Sequence, residues 1–236
     1  CTGTYTNGDY VVNCHDGVAH GELDIYGILG MSCNGAFDTI AQTLNSTKWQ
    51  KLAEDFGYNQ SDRSQVDFPY KKSHFDIASD DSVWSRMQLA IGQGTTTVTP
   101  LLNLMIYAAI ANDGVMMTPY LVDHYLDADG NVVEQTKPKA LRSVCTKAEA
   151  ELMDEFLTYV ITNGTAAAGG SQYARVSGKT GSAQYDSTKN YHAWFCGYGT
   201  NDVSEIAVCV MIEKGGAGGI VAAPVAGQIF DYYFSR

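Results

Sequence analysis

Positive charge is scarce in this chain. Its 236 residues hold 15 lysines and arginines against 26 aspartates and glutamates, a net charge of −11. A polyanion would be repelled, and no Lys/Arg cluster offsets the repulsion, so nucleic acid and anionic membrane are discounted as partners. Long apolar runs are lacking too. The longest, Leu101 to Ala111, is interrupted by Asn103 and falls short of the ~20 residues that span a bilayer. No CxxC pair occurs, so a zinc site is not expected. No signal peptide is visible and the chain opens on Cys1 rather than Met, which leads to the expectation that it is part of a longer one. What is there is 45% hydrophobic and 17% charged, the balance of a folded domain with a sizeable core. Six cysteines are many for a reducing compartment and few for a disulfide scaffold. Cys1 and Cys14 flank a polar loop, and a bridge or a free pair both stay open.

One strand-like stretch, "VSGKTGSAQ" from Val176 to Gln184, sets a lysine and two hydroxyls beside two glycines. Glycine weakens a strand unless something must approach its backbone closely. A phosphate loop would need a glycine five residues before Gly178, where Tyr173 stands, so that reading fails. A strand that binds a carboxylate fits better: Lys179 for charge, Thr180 and Ser182 as donors, Gly178 and Gly181 for room.

The rest of the chain supplies the frame. Residues 1–21 read as turns with short strands. Asp24 is positioned to cap a helix over Ile25 to Gly30. Helical spacing covers Phe37 to Leu44 and Thr47 to Phe56, ending at Gly57. Residues 58–82 read as a polar loop. Thr99-Pro100 opens a helix through Ala111, with Gly114 past its end. Val122 to Glu134 reads as a hairpin around Asp127 to Gly130. Thr146, with Glu149 three residues on, caps a helix to Ile161. Arg175 to Ala183, Ala193 to Tyr198 and Ile206 to Glu213 read as three strands, and a last helix runs from about Ala223 to Phe234. A mainly helical part over 1–170 followed by an antiparallel meander and a helix over 171–236 makes an α+β architecture. A turn near Asp202 sets Cys196 opposite Cys209, as a packed thiol pair rather than a bridge.

Upstream, "MSCN" (Met31 to Asn34) lies in a turn between helical segments. Ser32 and Asn34 would not share a face in a helix, whereas a tight turn can aim both at one cleft. Alone the pair is explained by capping. Combined with Lys179-Thr180-Gly181 it resembles two of the three motifs of penicillin-binding proteins and serine β-lactamases. Further blocks resemble class B penicillin-binding proteins in particular, in the right order along nearly the whole chain: "HGELDIYGILGMSCNGAF" (His20 to Phe37), "IGQG" (Ile91 to Gly94), "TPL" (Thr99 to Leu101), "AAIAN" (Ala108 to Asn112), "HAWFCGYG" (His192 to Gly199) and "GGIVAAPVAGQIF" (Gly218 to Phe230).

This resemblance implies the serine β-lactamase and D,D-peptidase fold, an antiparallel sheet flanked by helices with a helical subdomain. It implies D,D-transpeptidation. A serine attacks a peptidoglycan stem peptide ending in D-Ala-D-Ala, D-Ala leaves, and an amine of a neighbouring stem resolves the acyl-enzyme. β-Lactam antibiotics mimic that terminus. Ser32 would relay protons, Asn34 would bind the substrate amide, and Lys179, Thr180, Gly181 and Ser182 would hold the carboxylate and oxyanion. Ser182 stands where threonine is usual. No cofactor or metal is implied. His20 and His192 are read as structural, Trp194 and Phe195 as sheet packing, and Cys33 as a buried small residue. The resemblance places the protein on the extracytoplasmic face of a bacterial membrane, with a glycosyltransferase as a further partner.

The third motif, Ser-x-x-Lys, is missing. Ser46, Ser177 and Ser187 have lysine two residues on, and Thr136-x-x-Lys139 contains Pro138, which forbids the helical turn. The nucleophile is therefore expected upstream of Cys1, together with a strand that would pair the outer edge of Ile206 to Glu213. A β-lactam receptor or a non-catalytic binding module of the same fold are the alternatives. The "TPL" and "VAAPV" blocks favour the synthase.

Overall fold

The structure, a computed structural model, describes residues 1–60, 66–78, 82–188 and 190–236. Parts of the 58–82 segment lie outside them. The chain opens with a hairpin of β1 (Thr4–Asn7) and β2 (Tyr10–Asn13). Next come α1 (Ile25–Gly30) and α2 (Asn34–Thr43), separated by the Ser32 turn. Asp24 caps α1 as expected, accepting from the Gly27 N–H at 2.8 Å. Ser32 sits at φ +52, which ends one helix and lets Cys33 stand as N-cap of the next. The second helix thus starts three residues before the apolar spacing suggests. Asn34 and Gly35 carry no apolar signal, so periodicity could not find that turn.

α3 (Ser46–Asp55) and α4 (Val83–Ala90) are capped by Asn45 and Ser82. α5 (Pro100–Ala111) has the Thr99 hydroxyl on the Leu102 N–H and Pro100 in its first turn. β3 (Val115–Met117) pairs with β6 (Ala140–Ser143), and between them lies the hairpin of β4 (His124–Leu126) and β5 (Val132–Gln135). Of these, α4, β3 and β6 have no counterpart in the sequence reading. α6 (Lys147–Asn163) begins with the full capping box of Thr146 and Glu149.

The last third forms an antiparallel meander in the order β7 (Arg175–Gln184), β8 (Tyr191–Thr200), β9 (Glu205–Ile212), closed by α7 (Gly218–Phe234). α7 starts five residues earlier than its apolar run implies. Gly218 is needed there, because a Cβ would strike the carbonyl oxygens of Gly181 and Trp194. The main core lies between this sheet and the helices α6 and α7: Val160 and Ile161, Val176, Phe195, Val208, Ala222, Ala226 and Phe230. Phe195 and Phe230 are fully buried and meet edge to face at 6.3 Å between ring centres. Each such ring contributes on the order of 1.5–3 kcal/mol by leaving water. Among the described residues β9 has no strand partner on its far side, and no helix is long and apolar enough to cross a membrane.

Candidate active site

β7 carries the Lys179-Thr180-Gly181 triplet in register with Cys196, Phe195 and Trp194 of β8. The two glycines play different parts. At Gly178 a Cβ would stand 2.7 Å from Cζ of Phe195 and 3.0 Å from the Cys196 carbonyl oxygen, so glycine is there to let the core ring pack under the strand. At Gly181 it would meet only the Trp194 Cβ at 3.4 Å, an ordinary contact, and Gly181 lines open space. The room expected of both belongs to the second alone.

That space is a cleft of about 220 Å³. Lys179, Thr180, Gly181 and Ser182 form one wall, with Asn103 and Tyr107 of α5 and the Ile91-Gly92-Gln93 turn opposite. Gly92 takes φ +73 in that turn, a conformation glycine adopts without strain. With its amide turned to satisfy both atoms, Gln93 donates to the Gln184 carbonyl at 3.2 Å and accepts from the Gln184 N–H at 3.0 Å. It thereby occupies the end of β7's free edge.

Lys179 is half-buried. Its Nζ donates to the Thr180 carbonyl at 3.0 Å, and among the described residues no carboxylate lies within ion-pair distance of it. Burial pushes its pKa down to about 8. A desolvated ammonium using one of its three donors is ready for an anion. Ser182 Oγ accepts from the Gly218 N–H at 3.1 Å, which leaves its proton to donate into the cleft. Thr180 Oγ1 lies 3.0 Å from Thr165 Oγ1. The Thr165 N–H in turn donates to the Gly30 carbonyl at 3.0 Å.

This last link joins the triplet to the turn that carries Ser32 and Asn34. Neither of those two residues lines the cleft. Ser32 is half-buried in its left-handed turn, and Asn34 Nδ2 donates to the Asn13 carbonyl at 2.8 Å. Thr165, Asn103 and Tyr107 gave no sequence signal. They belong to no motif, and only the packing of α5 and of the loop after α6 brings them here. His192 Nδ1 accepts from the Lys214 N–H at 3.1 Å and stacks on Tyr185. Phe195 is core, whereas Trp194 is half-buried and lines the cleft.

Behind the triplet, the half-buried Asp154 of α6 organises a network that runs from buried Ser177 and Tyr198 to exposed Arg175. It accepts from Ser177 Oγ at 2.7 Å, Tyr198 OH at 2.6 Å and Arg175 Nη1 at 2.7 Å. Burial pushes this carboxyl up, but the hydrogen bonds from Tyr198, Ser177 and Arg175 outweigh it and hold the group below its ordinary value.

An α+β domain with a desolvated lysine on a strand edge, hydroxyls beside it and a helix starting behind it has the layout of the serine acyl-transferase fold. The model of the family described as penicillin binding protein transpeptidase domain matches residues 2–231, and the chain belongs to that family, in its class B branch. It is 29% identical over 203 residues to the peptidoglycan D,D-transpeptidase PbpA of Mycolicibacterium smegmatis, covering 82% of this chain and 40% of that protein. It is 28% identical over 237 residues to the peptidoglycan D,D-transpeptidase MrdA of Acinetobacter baumannii, covering 91% of this chain and 35% of that one. The chain thus spans well under half the length of these relatives. Among solved structures, the D,D-transpeptidase domain of a peptidoglycan glycosyltransferase from Eggerthella lenta superposes with a TM-score of 0.86 at 27% identity, over 97% of this chain and 57% of that one. Penicillin-binding protein 3 of Mycobacterium tuberculosis, complexed with aztreonam, gives 0.82 at 25%, over 99% and 56%.

Proposed function

We propose that this chain forms the carboxylate-binding and motif-bearing part of a serine D,D-transpeptidase that cross-links peptidoglycan stem peptides and is acylated by β-lactams. The observation that carries this reading is Lys179: a half-buried cation, without a carboxylate partner among the described residues, in the wall of an open cleft. A terminal D-Ala carboxylate, or the carboxylate of a β-lactam, supplies the missing negative charge. Lys179 and Ser182 hold it through charge-assisted and hydroxyl hydrogen bonds. Gly181 leaves space for the peptide, and the backbone N–H of Ser182 serves as one donor to the oxyanion. Ser32 relays a proton and Asn34 holds the substrate amide.

No Ser-x-x-Lys lies within the 236 residues, so the serine and its activating lysine come from a segment outside them. In the reaction that serine's Oγ bonds to the penultimate D-Ala carbonyl. The amide C–N bond breaks, and D-Ala leaves carrying the serine's proton on its amine. A second stem's amine then bonds to the same carbonyl, the ester bond to the serine Oγ breaks, and the proton lost by that amine returns to the serine. Such work belongs on the extracytoplasmic face of a bacterial membrane, beside a glycosyltransferase that makes the strands. The complete protein should bind labelled penicillin and release D-Ala from a stem peptide. A protein that acylates but releases no D-Ala is a receptor, and the synthase reading then fails. Lys179→Ala should slow acylation by roughly 10–150-fold, the equivalent of about 1.5–3 kcal/mol for a hydrogen bond to a charged group. Acylation of that variant at the parental rate overturns the site.

A further inference from the structure

Four side chains outside the cleft converge on one point. Cys1, Cys14, His20 and Cys33 bring their donor atoms within 4.8 Å of one another. Cys1 Sγ lies 3.6 Å from Cys14 Sγ and 3.5 Å from His20 Nδ1, and Cys14 Sγ lies 3.9 Å from Cys33 Sγ. Around a tetrahedral zinc with Zn–S of about 2.3 Å and Zn–N of about 2.0–2.1 Å, sulfur–sulfur edges are about 3.8 Å and sulfur–nitrogen edges about 3.6 Å. The three separations match three of the six edges of such a tetrahedron, and the other three lie within 4.8 Å. They are far longer than the ~2.05 Å of a disulfide, and a bridge between any two thiols would leave the third thiol and the imidazole unexplained.

Backbone hydrogen bonds hold the three cysteines, and His20 adjoins Gly21, which makes one of them. The Cys14 N–H donates to the Gly3 carbonyl at 2.9 Å, the Gly21 N–H to the Cys1 carbonyl at 3.0 Å, and the Cys33 N–H to the Ile28 carbonyl at 3.0 Å. The Gly3 N–H points at Cys1 Sγ at 3.4 Å, an outer-shell donor of the kind that steadies a metal thiolate. Cys14 and Cys33 are buried and His20 half-buried, while Cys1 faces solvent and leaves a path for entry.

We propose that Cys1, Cys14, His20 and Cys33 bind one zinc ion in a closed, four-coordinate structural site that clamps the Ser32–Asn34 turn to the N-terminal hairpin. The three thiols each release a proton, and the neutral imidazole binds through Nδ1. Four protein ligands leave no open position, so the role is structural rather than catalytic. Cys33 lies between Ser32 and Asn34, and the Asn34 amide already holds the Asn13 carbonyl beside Cys14. Metal and amide therefore grip the turn from the same side. The absence of CxxC pairs argued against zinc, but that rule finds ligands on a single knuckle. These ligands are spread over gaps of 13 and 19 residues and meet only in the fold. The inference does not depend on the transpeptidase reading.

The test is metal content. The complete natural chain, free of tag histidines, is dialysed against metal-free reducing buffer and analysed for zinc. About one zinc per chain is expected, and X-ray absorption should show three sulfurs near 2.3 Å and one nitrogen near 2.0 Å. Cys1→Ser and His20→Gln touch the least buried ligands and should keep the fold by circular dichroism. In competition with a chromophoric chelator each should bind zinc at least ~10–100-fold more weakly, since outer-shell changes alone cost that much. Cys209→Ser, remote from the cluster, should bind as the parent does. A folded parent without zinc, a mapped Cys1–Cys14 disulfide, or variants that hold zinc like the parent would overturn the proposal.

Discussion

Thr165 and Thr180 meet through their hydroxyls at 3.0 Å, and this contact ties the cleft's lysine strand to the helix end that precedes Ser32. Removing one hydroxyl should leave the fold intact and loosen the strand wall. Thr165→Val in the complete protein should slow β-lactam acylation about 2–10-fold, the share of one neutral hydrogen bond, and Thr165→Ser should restore it. Equal rates for all three would show that the contact positions nothing.

Lys179 makes binding and stability respond to alkali in opposite directions. Its folded pKa, about 8, is below the unfolded value of 10.5. Above pH 8 the folded chain has lost a proton that the unfolded chain keeps, so this residue adds stability as pH rises from about 8 to 10.5. Over the same window the cation vanishes. Capture of a carboxylate-bearing β-lactam should therefore fall through about pH 8 while the melting temperature does not fall on this residue's account. In Lys179→Ala the inflection near pH 8 should be gone, and its persistence would assign it elsewhere.

The two glycines that bracket the motif should separate fold from function. Gly178→Ala pushes a methyl into the buried Phe195 ring and should cost about 1–3 kcal/mol in denaturant unfolding, the usual penalty of overpacking. Gly181→Ala meets only Trp194 and should cost less than about 1 kcal/mol, yet it places a methyl in the cleft and should slow acylation. Equal destabilisation by the two would contradict the packing described.

Asp154→Ala should cost about 2–3 kcal/mol at neutral pH, because Tyr198, Ser177 and Arg175 lose their shared acceptor. The native carboxyl lies below its ordinary 3.8, so its contribution is present above that value and fades as pH falls through the lower folded one. The gap in thermal stability between parent and variant should accordingly narrow in acid. A gap independent of pH would mean that the carboxylate's charge is not what the network uses.

Cys196 and Cys209 are register partners with sulfurs 3.0 Å apart. Thiol titration under denaturing, non-reducing conditions should find both free, since most directly opposed strand pairs miss the dihedral that a disulfide needs. Finding neither thiol free would reverse this.

The meander was legible because its strands alternate and its turns are short, and the caps at Asp24, Thr99 and Thr146 announced three helices. The opposition of Cys196 and Cys209 followed from the turn position alone. Less was legible where tertiary contact decides. The start of α7 depends on carbonyls that only Gly218 tolerates, and α2 begins two residues after a left-handed serine that no periodicity marks. The lysine wall of the cleft could be read from one stretch. Its opposite wall could not, because Asn103 and Tyr107 are brought there by the way α5 packs over β8 and β9.

The link between Gly30 and Thr165 also bears on the order in which the molecule assembles. β7, β8 and β9 are successive strands that find their partners across short turns, and such hairpins close within microseconds. The contacts of α1 reach far along the chain: Tyr26 OH donates to Glu155 Oε2 across 129 residues. Closing so long a loop carries an entropic cost before any contact repays it. The lysine strand should thus gain protection from hydrogen exchange early in refolding, and the Ser32 turn should dock late. The Ser32 turn should then reach the lysine strand, through Gly30 and Thr165, only after the sheet beside it has formed.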